Sequence, residues 1–200
     1  MATVGVCKPY YAIYGNSGAT VSYSEGGIVG KAVTVSVDIE TSDSNDLYAD
    51  NAICESEKTF TGGTLGLTTD DFEQEASKAV LGLKEEAITG IDGVTDSSVK
   101  ELIYDDDQAT PYLGVGFIIK KIKGGVSKWR AIVLTKVKFA VPSDAANTQG
   151  ETIEWQTPEI SGTIMRDDSA KHAWKKEATF TSEAQAEAYI KARLGITAGA

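Results

Sequence analysis

Two long apolar runs separated only by Gly124-Gly125 constrain this chain more than any other feature. Residues 112–123 and 126–139 are rich in β-branched and aromatic residues. Adjacent glycines supply the positive φ angles that a two-residue hairpin turn requires, so the pair predicts a long antiparallel hairpin. A hairpin of that length is marginal alone and needs further strands to cover it. The rest of the chain supplies them. Over 32–40 the alternation is strict, with Val33, Val35, Val37 and Ile39 on one side and Thr34, Ser36, Asp38 and Glu40 on the other. That pattern predicts a strand with one buried and one wet, acidic face.

Further strands are expected over 4–14, from Gly26-Gly27 into the alternating run, and over 52–60, 63–68, 101–104, 152–156, 159–165 and 174–180. Within 159–165, Ile160, Gly162 and Ile164 share a face. Two segments change period to 3.6. One is 70–81, with Phe72, Ala76, Ala79 and Val80 on a stripe, Asp70 and Glu73 at its start and Gly82 at its stop. The other opens on the Ser182/Gln185 capping pattern, carries Ala184, Ala188, Ile190 and Leu194, and stops at Gly195. Two hundred residues, 42% apolar, are enough for one substantial core. The expected fold is mainly β (α+β): two packed antiparallel sheets forming a β-sandwich or partly closed barrel, flanked by one or two helices. It is read as a single domain over 1–200, with a flexible loop near 41–50, an irregular excursion over 84–107 and a short mobile tail over 195–200.

No apolar run reaches the length of a membrane span, and the first residues lack a leader's basic and apolar blocks. Cys7 and Cys54 lack CxxC spacing and read as two buried, reduced thiols. The net charge is −10, which argues against a basic nucleic-acid binder. Its distribution is uneven. Residues 61–110 hold twelve acidic and three basic side chains, whereas 111–140 hold seven basic ones and no acid. Two solvated faces account for such a split. So does complementarity, because patches of opposite sign let copies attract head to tail.

Chemistry is hard to find. His172 is the only histidine, and Asp167 and Asp168 beside it match no metal-ligand spacing. The 15–18 stretch lacks the spacing of a nucleophile elbow. Gly114-Val115-Gly116 lacks the third glycine of a dinucleotide loop and lies within a strand, where close packing or curvature explains it better. Asp105-Asp106-Asp107 reads as a solvated turn rather than a calcium loop. Trp129, Trp155 and Trp174 sit beside apolar residues and read as core rather than as a sugar platform. No catalytic residue, metal site or cofactor is expected.

Several stretches follow one another in order along the chain: Tyr11-Ala12-Ile13-Tyr14, residues 33–40, Leu47-Tyr48-Ala49-Asp50-Asn51 and Gly62-Gly63-Thr64-Leu65-Gly66-Leu67. Pro111 to Phe117, Trp129-Arg130-Ala131, Gly150 to Pro158, Gly162-Thr163-Ile164 and residues 174–180 before an Ala-rich helix complete the set. Together they resemble the major tail (tail-tube) proteins of long-tailed siphophages from phages and prophages of Gram-positive bacteria. The resemblance implies a structural virion protein, assembled in the host cytoplasm into stacked hexameric rings. It implies as partners the chain itself, a tape-measure protein, a tail terminator and distal tail or baseplate proteins, with genomic DNA passing through the lumen unbound. A conduit must not grip DNA, so acidic positions are candidates to line the bore: Asp38, Glu40, Glu55, Glu57, Glu154 and Glu159. Lys120, Lys121, Lys123, Lys128 and Arg130 are candidates for subunit contacts. A β-sandwich carbohydrate-binding or adhesive module is the competing reading, and a hydrolase with an acid pair the weakest.

Overall fold

The computed structural model describes residues 2–94, 96, 98–143, 148 and 156–197. In chain order they form β1 (Ala2–Ser17), β2 (Thr20–Ile28), β3 (Ala32–Thr41), β4 (Asn45–Ala49), β5 (Ala52–Glu57) and β6 (Phe60–Thr69). Then come α1 (Gln74–Leu81), β7 (Lys84–Ala87), β8 (Lys100–Ile103), β9 (Leu113–Lys123) and β10 (Val126–Phe139). The chain ends with β11 (Glu159–Met165), β12 (Lys175–Phe180) and α2 (Glu183–Arg193). The main sheet runs β2-β1-β9-β10-β11-β6-β3, and β12 joins it on β10. Gly124 and Gly125, at φ 60° and 79°, make the two-residue turn between β9 and β10.

Strand β10 decides the architecture. One edge pairs with β9 along most of its length. The other edge is shared: residues 129–134 bond β12, and residues 136–139 bond β11. The change of partner falls at a bulge between Leu134 and Val137. An extra residue bends the strand and resets its alternation, so Leu134 and Val137 both reach the core. Thr135 sits in the bulge, buried but satisfied. Its hydroxyl donates to the Ala173 carbonyl at 2.6 Å and its N–H to the Trp174 carbonyl at 3.1 Å. Its own carbonyl accepts from the Tyr23 hydroxyl at 2.8 Å.

The bend lays one half of the sheet over the other. One layer is β2, β1, β9, the first half of β10, and β12; the second is the rest of β10 with β11, β6 and β3. Leu65, Leu67, Leu113, Phe117, Leu134, Val137 and Ile164 fill the space between, and Ala76, Val80 and Leu81 of α1 join them. Each such buried side chain contributes about 1.5–3 kcal/mol relative to exposure. The fold is thus mainly β and sandwich-like with two flanking helices, as expected, and its two layers are bonded through β10. Ile160, Gly162 and Ile164 point inward from β11, also as expected.

A second apolar cluster lies on the outer side of the first layer, where Ala186, Ile190 and Leu194 of α2 cover Ile118, Ala131 and Val133. Those three residues recur every fourth position and so share one helix face. Ala184 and Ala188, expected on that face, are exposed. Gly114 and Gly116 let the helix approach: a Cβ on Gly116 would lie 2.5 Å from Ile190 Cγ2, and one on Gly114 2.7 Å from Leu194 Cδ2. Ser182 caps the helix by accepting from the Gln185 N–H at 3.3 Å. Past Gly195 (φ 63°), the Ile196 N–H donates back to the Lys191 carbonyl at 2.9 Å, a Schellman end. Ile196 is buried, so the tail expected to be mobile from 195 is docked through that residue.

Other expectations change. Helix α1 starts at Gln74 rather than 70, because the Asp70 carboxylate instead accepts from the Lys31 and Asp71 N–H groups at 2.8 and 3.0 Å. The second strand spans Thr20–Ile28, with Gly26 and Gly27 near its end rather than at its opening. Val33 and Ile39 are exposed, because β3 is an edge strand and only Val35 and Val37 reach the core. The loop expected near 41–50 is instead β4, paired with β5 across a turn at Asp50 and Asn51 (φ 50° and 63°). The strand expected over 52–60 divides between β5 and β6. The excursion over 84–107 contains the ribbon β7–β8. The turn near 144–146 and residues 152–155 of the strand expected over 152–156, Glu154 and Trp155 among them, lie outside the described residues; Gln156 is exposed and in no strand.

Candidate functional site

Three exposed surfaces, rather than a cleft, hold the distinctive chemistry. The first is the outer face of β3, β6 and β11. Register places Thr34, Ser36, Asp38 and Glu40 of β3 beside Gly62, Thr64, Gly66 and Thr68 of β6, and Glu159, Ser161 and Thr163 of β11 beyond them. Among the described residues no helix covers this face. Small side chains make it flat, and the carboxylates lie over the glycines: Cβ positions on Gly62 and Gly66 would fall 3.6 Å from Glu40 Oε2 and 3.5 Å from Glu159 Oε1. Three candidate bore residues, Asp38, Glu40 and Glu159, thus share one surface. Lys138, opposite Thr163, borders it on β10.

The second surface is the ribbon β4–β5. The hairpin of β3 and β6 continues into it, with the Ser42 N–H donating to the Thr59 carbonyl at 2.8 Å between the two parts. The tip lies about 25 Å beyond the end of β3, at the usual rise per strand residue. All six residues of β5 are exposed. Leu47, Tyr48 and Ile53 are 59%, 65% and 55% exposed. Glu55 and Glu57 stand here, apart from Asp38, Glu40 and Glu159. Cys54 is exposed too and Cys7 half-buried, so the reading of two buried thiols is corrected: among the described residues nothing packs on β5 to bury one. Burial raises the Cys7 thiol above its ordinary value.

The third is the basic end of β9–β10, where the five candidate cations divide by face. Lys120 lies over the Trp129 ring, 5.8 Å from its centroid, on the α2 side. Arg130 is held by Glu177, which also pairs Lys175 at 2.7 Å. Both cations hold the Glu177 carboxyl below the ordinary carboxylate range. Lys121, Lys123 and Lys128 lie on the opposite side, and none has an ion-pair partner among the described residues. Farther along β10, Lys136 pairs with Asp168 at 2.7 Å and lies over Tyr14 and Tyr112.

The faces of the two described tryptophans are engaged. Trp174 stacks flat on Phe60, centroids 4.6 Å apart and planes 1° apart, and Trp129 packs against the α2 cluster. Among the described residues no three His, Cys, Asp or Glu side chains converge as metal ligands. His172 sits on an exposed turn with Nδ1 3.3 Å from the Asp167 carbonyl oxygen. Among the described residues no helix is long and apolar enough to cross a membrane. No protein-family model matches the chain, and no curated protein matches it either.

Proposed function

We propose that this chain is a structural subunit of a phage tail tube, assembling into stacked hexameric rings that conduct DNA. The observation that carries the reading is the β4–β5 ribbon: an extended arm with Leu47, Tyr48 and Ile53 open to solvent and no described residue of its own chain to cover them. Exposed strand edges bearing apolar side chains are contact surfaces, and natural proteins blunt them when they are not used. The flat acidic face supports the conduit role, since a surface of Asp38, Glu40 and Glu159 repels a polyanion. The tape-measure protein fits inside such a bore, and terminator and distal tail proteins at its ends.

A sugar-binding or adhesive module is less well supported, because Trp129 and Trp174 stack on neighbouring side chains rather than facing solvent as a platform. Negative-stain electron microscopy of the concentrated protein tests the proposal. Rings or tubes about 100 Å across are expected for six compact domains of this size around a bore. A strictly monomeric protein, with tryptophan fluorescence quenched by a sugar, would instead favour the module.

A further inference from the structure

Among the described residues two cross-strand pairs join like charges. On β9–β10, Lys121 and Lys128 are directly opposite each other. On β7–β8, Glu86 and Glu101 are directly opposite each other. Like charges in that position destabilise a ribbon. Neither pair is relieved within the chain: none of the four has an ion-pair partner among the described residues. Their neighbours are relieved. Glu85, on the opposite face of β7, is held by Lys78 and Lys100, and Asp105 pairs with Lys84 at 2.7 Å.

The two pairs lie at opposite ends of the molecule. Lys121 and Lys128 flank the Gly124-Gly125 turn. The other end of that hairpin is at Leu113 and Phe139, about 35 Å away at the usual rise per strand residue. The ribbon β7–β8 connects there. Gly82, just before β7, abuts Ala109 and Pro111, and Gln108 donates to the Leu81 carbonyl at 3.0 Å, two to five residues before β9 begins. Exposed Asp106 and Asp107 sit at the same end.

We propose that the two pairs are the two halves of one contact between copies: Lys121 and Lys128 of one subunit meet Glu86 and Glu101 of the next, head to tail along the assembly axis. The occupant of each end is thus a second copy of this chain. Opposite signs at opposite ends make the contact heterologous, so it propagates rather than closing on a dimer. This inference rests on the tube-subunit reading and assigns it an axial contact.

Two charge reversals, tested singly and together in the full chain, examine it. Lys121→Glu converts a repulsive cross-strand pair into an attractive one, so the monomer's Tm should rise by about 2 °C. Its critical concentration for stacking should rise about tenfold or more. Opposite directions in these two readouts are what a merely structural lysine cannot give. Glu101→Lys should behave alike. Equimolar mixing of the two variants leaves each reversed end facing an unreversed one in half of all encounters, so the decisive sample is the double variant, which should stack as the wild type does. Sedimentation and electron microscopy across 50–500 mM salt, on the order of a Debye length of 14 down to 4 Å, read the outcome. Rings that stack regardless of salt and of both reversals overturn the axial contact and leave the tube intact. Salt-sensitive linear oligomers without rings keep the contact and remove the tube. Loss of stacking in the single variants without rescue in the double variant assigns the lysines to another anion, such as a nucleic-acid backbone, and overturns the proposal. A wild type with no self-association at any salt overturns both.

Discussion

At the residue scale, the join between α2 and the sheet rests on two unlike devices. One is steric. Gly116 is the space into which Ile190 settles, and Gly116→Ala should cost about 1–3 kcal/mol as the helix is lifted. The other is electrostatic. Glu187 accepts from the Tyr10 hydroxyl at 2.8 Å, pairs with Lys191 at 3.0 Å and is held by Lys8. Lys8 foremost, then Tyr10 and Lys191, pull its carboxyl down from 4.5 to about 2, while burial and the same carboxylate push the Tyr10 hydroxyl up to about 12. A depressed acid adds stability above its unfolded value and loses it as pH falls toward its folded one. The contribution of Glu187 should therefore be complete above pH 4.5 and fade toward pH 2. Glu187→Gln should lower stability at pH 7 by about 1–2 kcal/mol and flatten the acid limb across that window, read as Tm against pH. An unchanged acid limb would remove Glu187 from the account.

At the scale of elements, what the sequence reveals depends on what each element buries. The β9–β10 hairpin, β11 and α2 were legible because each packs a face against something: Ile160, Gly162 and Ile164 alternate, and Ser182 and Gln185 announce a helix start. The sequence puts Ala184 and Ala188 on the apolar stripe with Ile190 and Leu194 because small residues satisfy several helix faces equally; the approach allowed by Gly114 and Gly116 keeps Ile190 and Leu194 and selects Ala186 beside them. In the two ribbons, β5 (expected within 52–60) and β8 (expected over 101–104) read as strands, whereas their partners β4 and β7 do not. They bury almost nothing, so they carry no period, and 41–50 reads as a polar loop. The acidic candidates show the same limit. Alternation put Asp38 and Glu40 on one face, but only register across β6 brought Glu159 to it and left Glu55 and Glu57 on the arm. That independence is testable. Leu47→Asp with Tyr48→Asp should change monomer stability by less than about 0.5 kcal/mol, since both side chains already face water. The same pair should abolish tubes in electron micrographs. Tubes of normal length would show that the arm is not the contact.

At the scale of the whole molecule, each side of the sandwich is occupied differently. Helix α2 covers the first layer, α1 closes a side of the core, and among the described residues the outer face of β3, β6 and β11 is left bare and acidic. A bare sheet face of Thr, Ser and Gly is a poor docking surface, because it offers little apolar area to remove from water. It is a suitable wall, since duplex DNA carries a negative charge every ~1.7 Å and each lysine or arginine that neutralised a phosphate would add affinity. Asp38 and Glu159 stand toward opposite ends of that face, so both ends repel. Reversing them separates a wall from an outer surface. In tubes assembled from Asp38→Lys, Glu159→Lys protein, DNA inside a bore should be retained, with log affinity falling linearly with log salt and a slope that grows with the number of phosphates contacted. Wild-type tubes should show neither retention nor slope. The reversed tubes should protect the retained DNA from nuclease, because DNA held in a bore is enclosed, whereas DNA held on an outer surface stays open to digestion. Retention without protection would place the β3–β6–β11 face on the outside of the assembly.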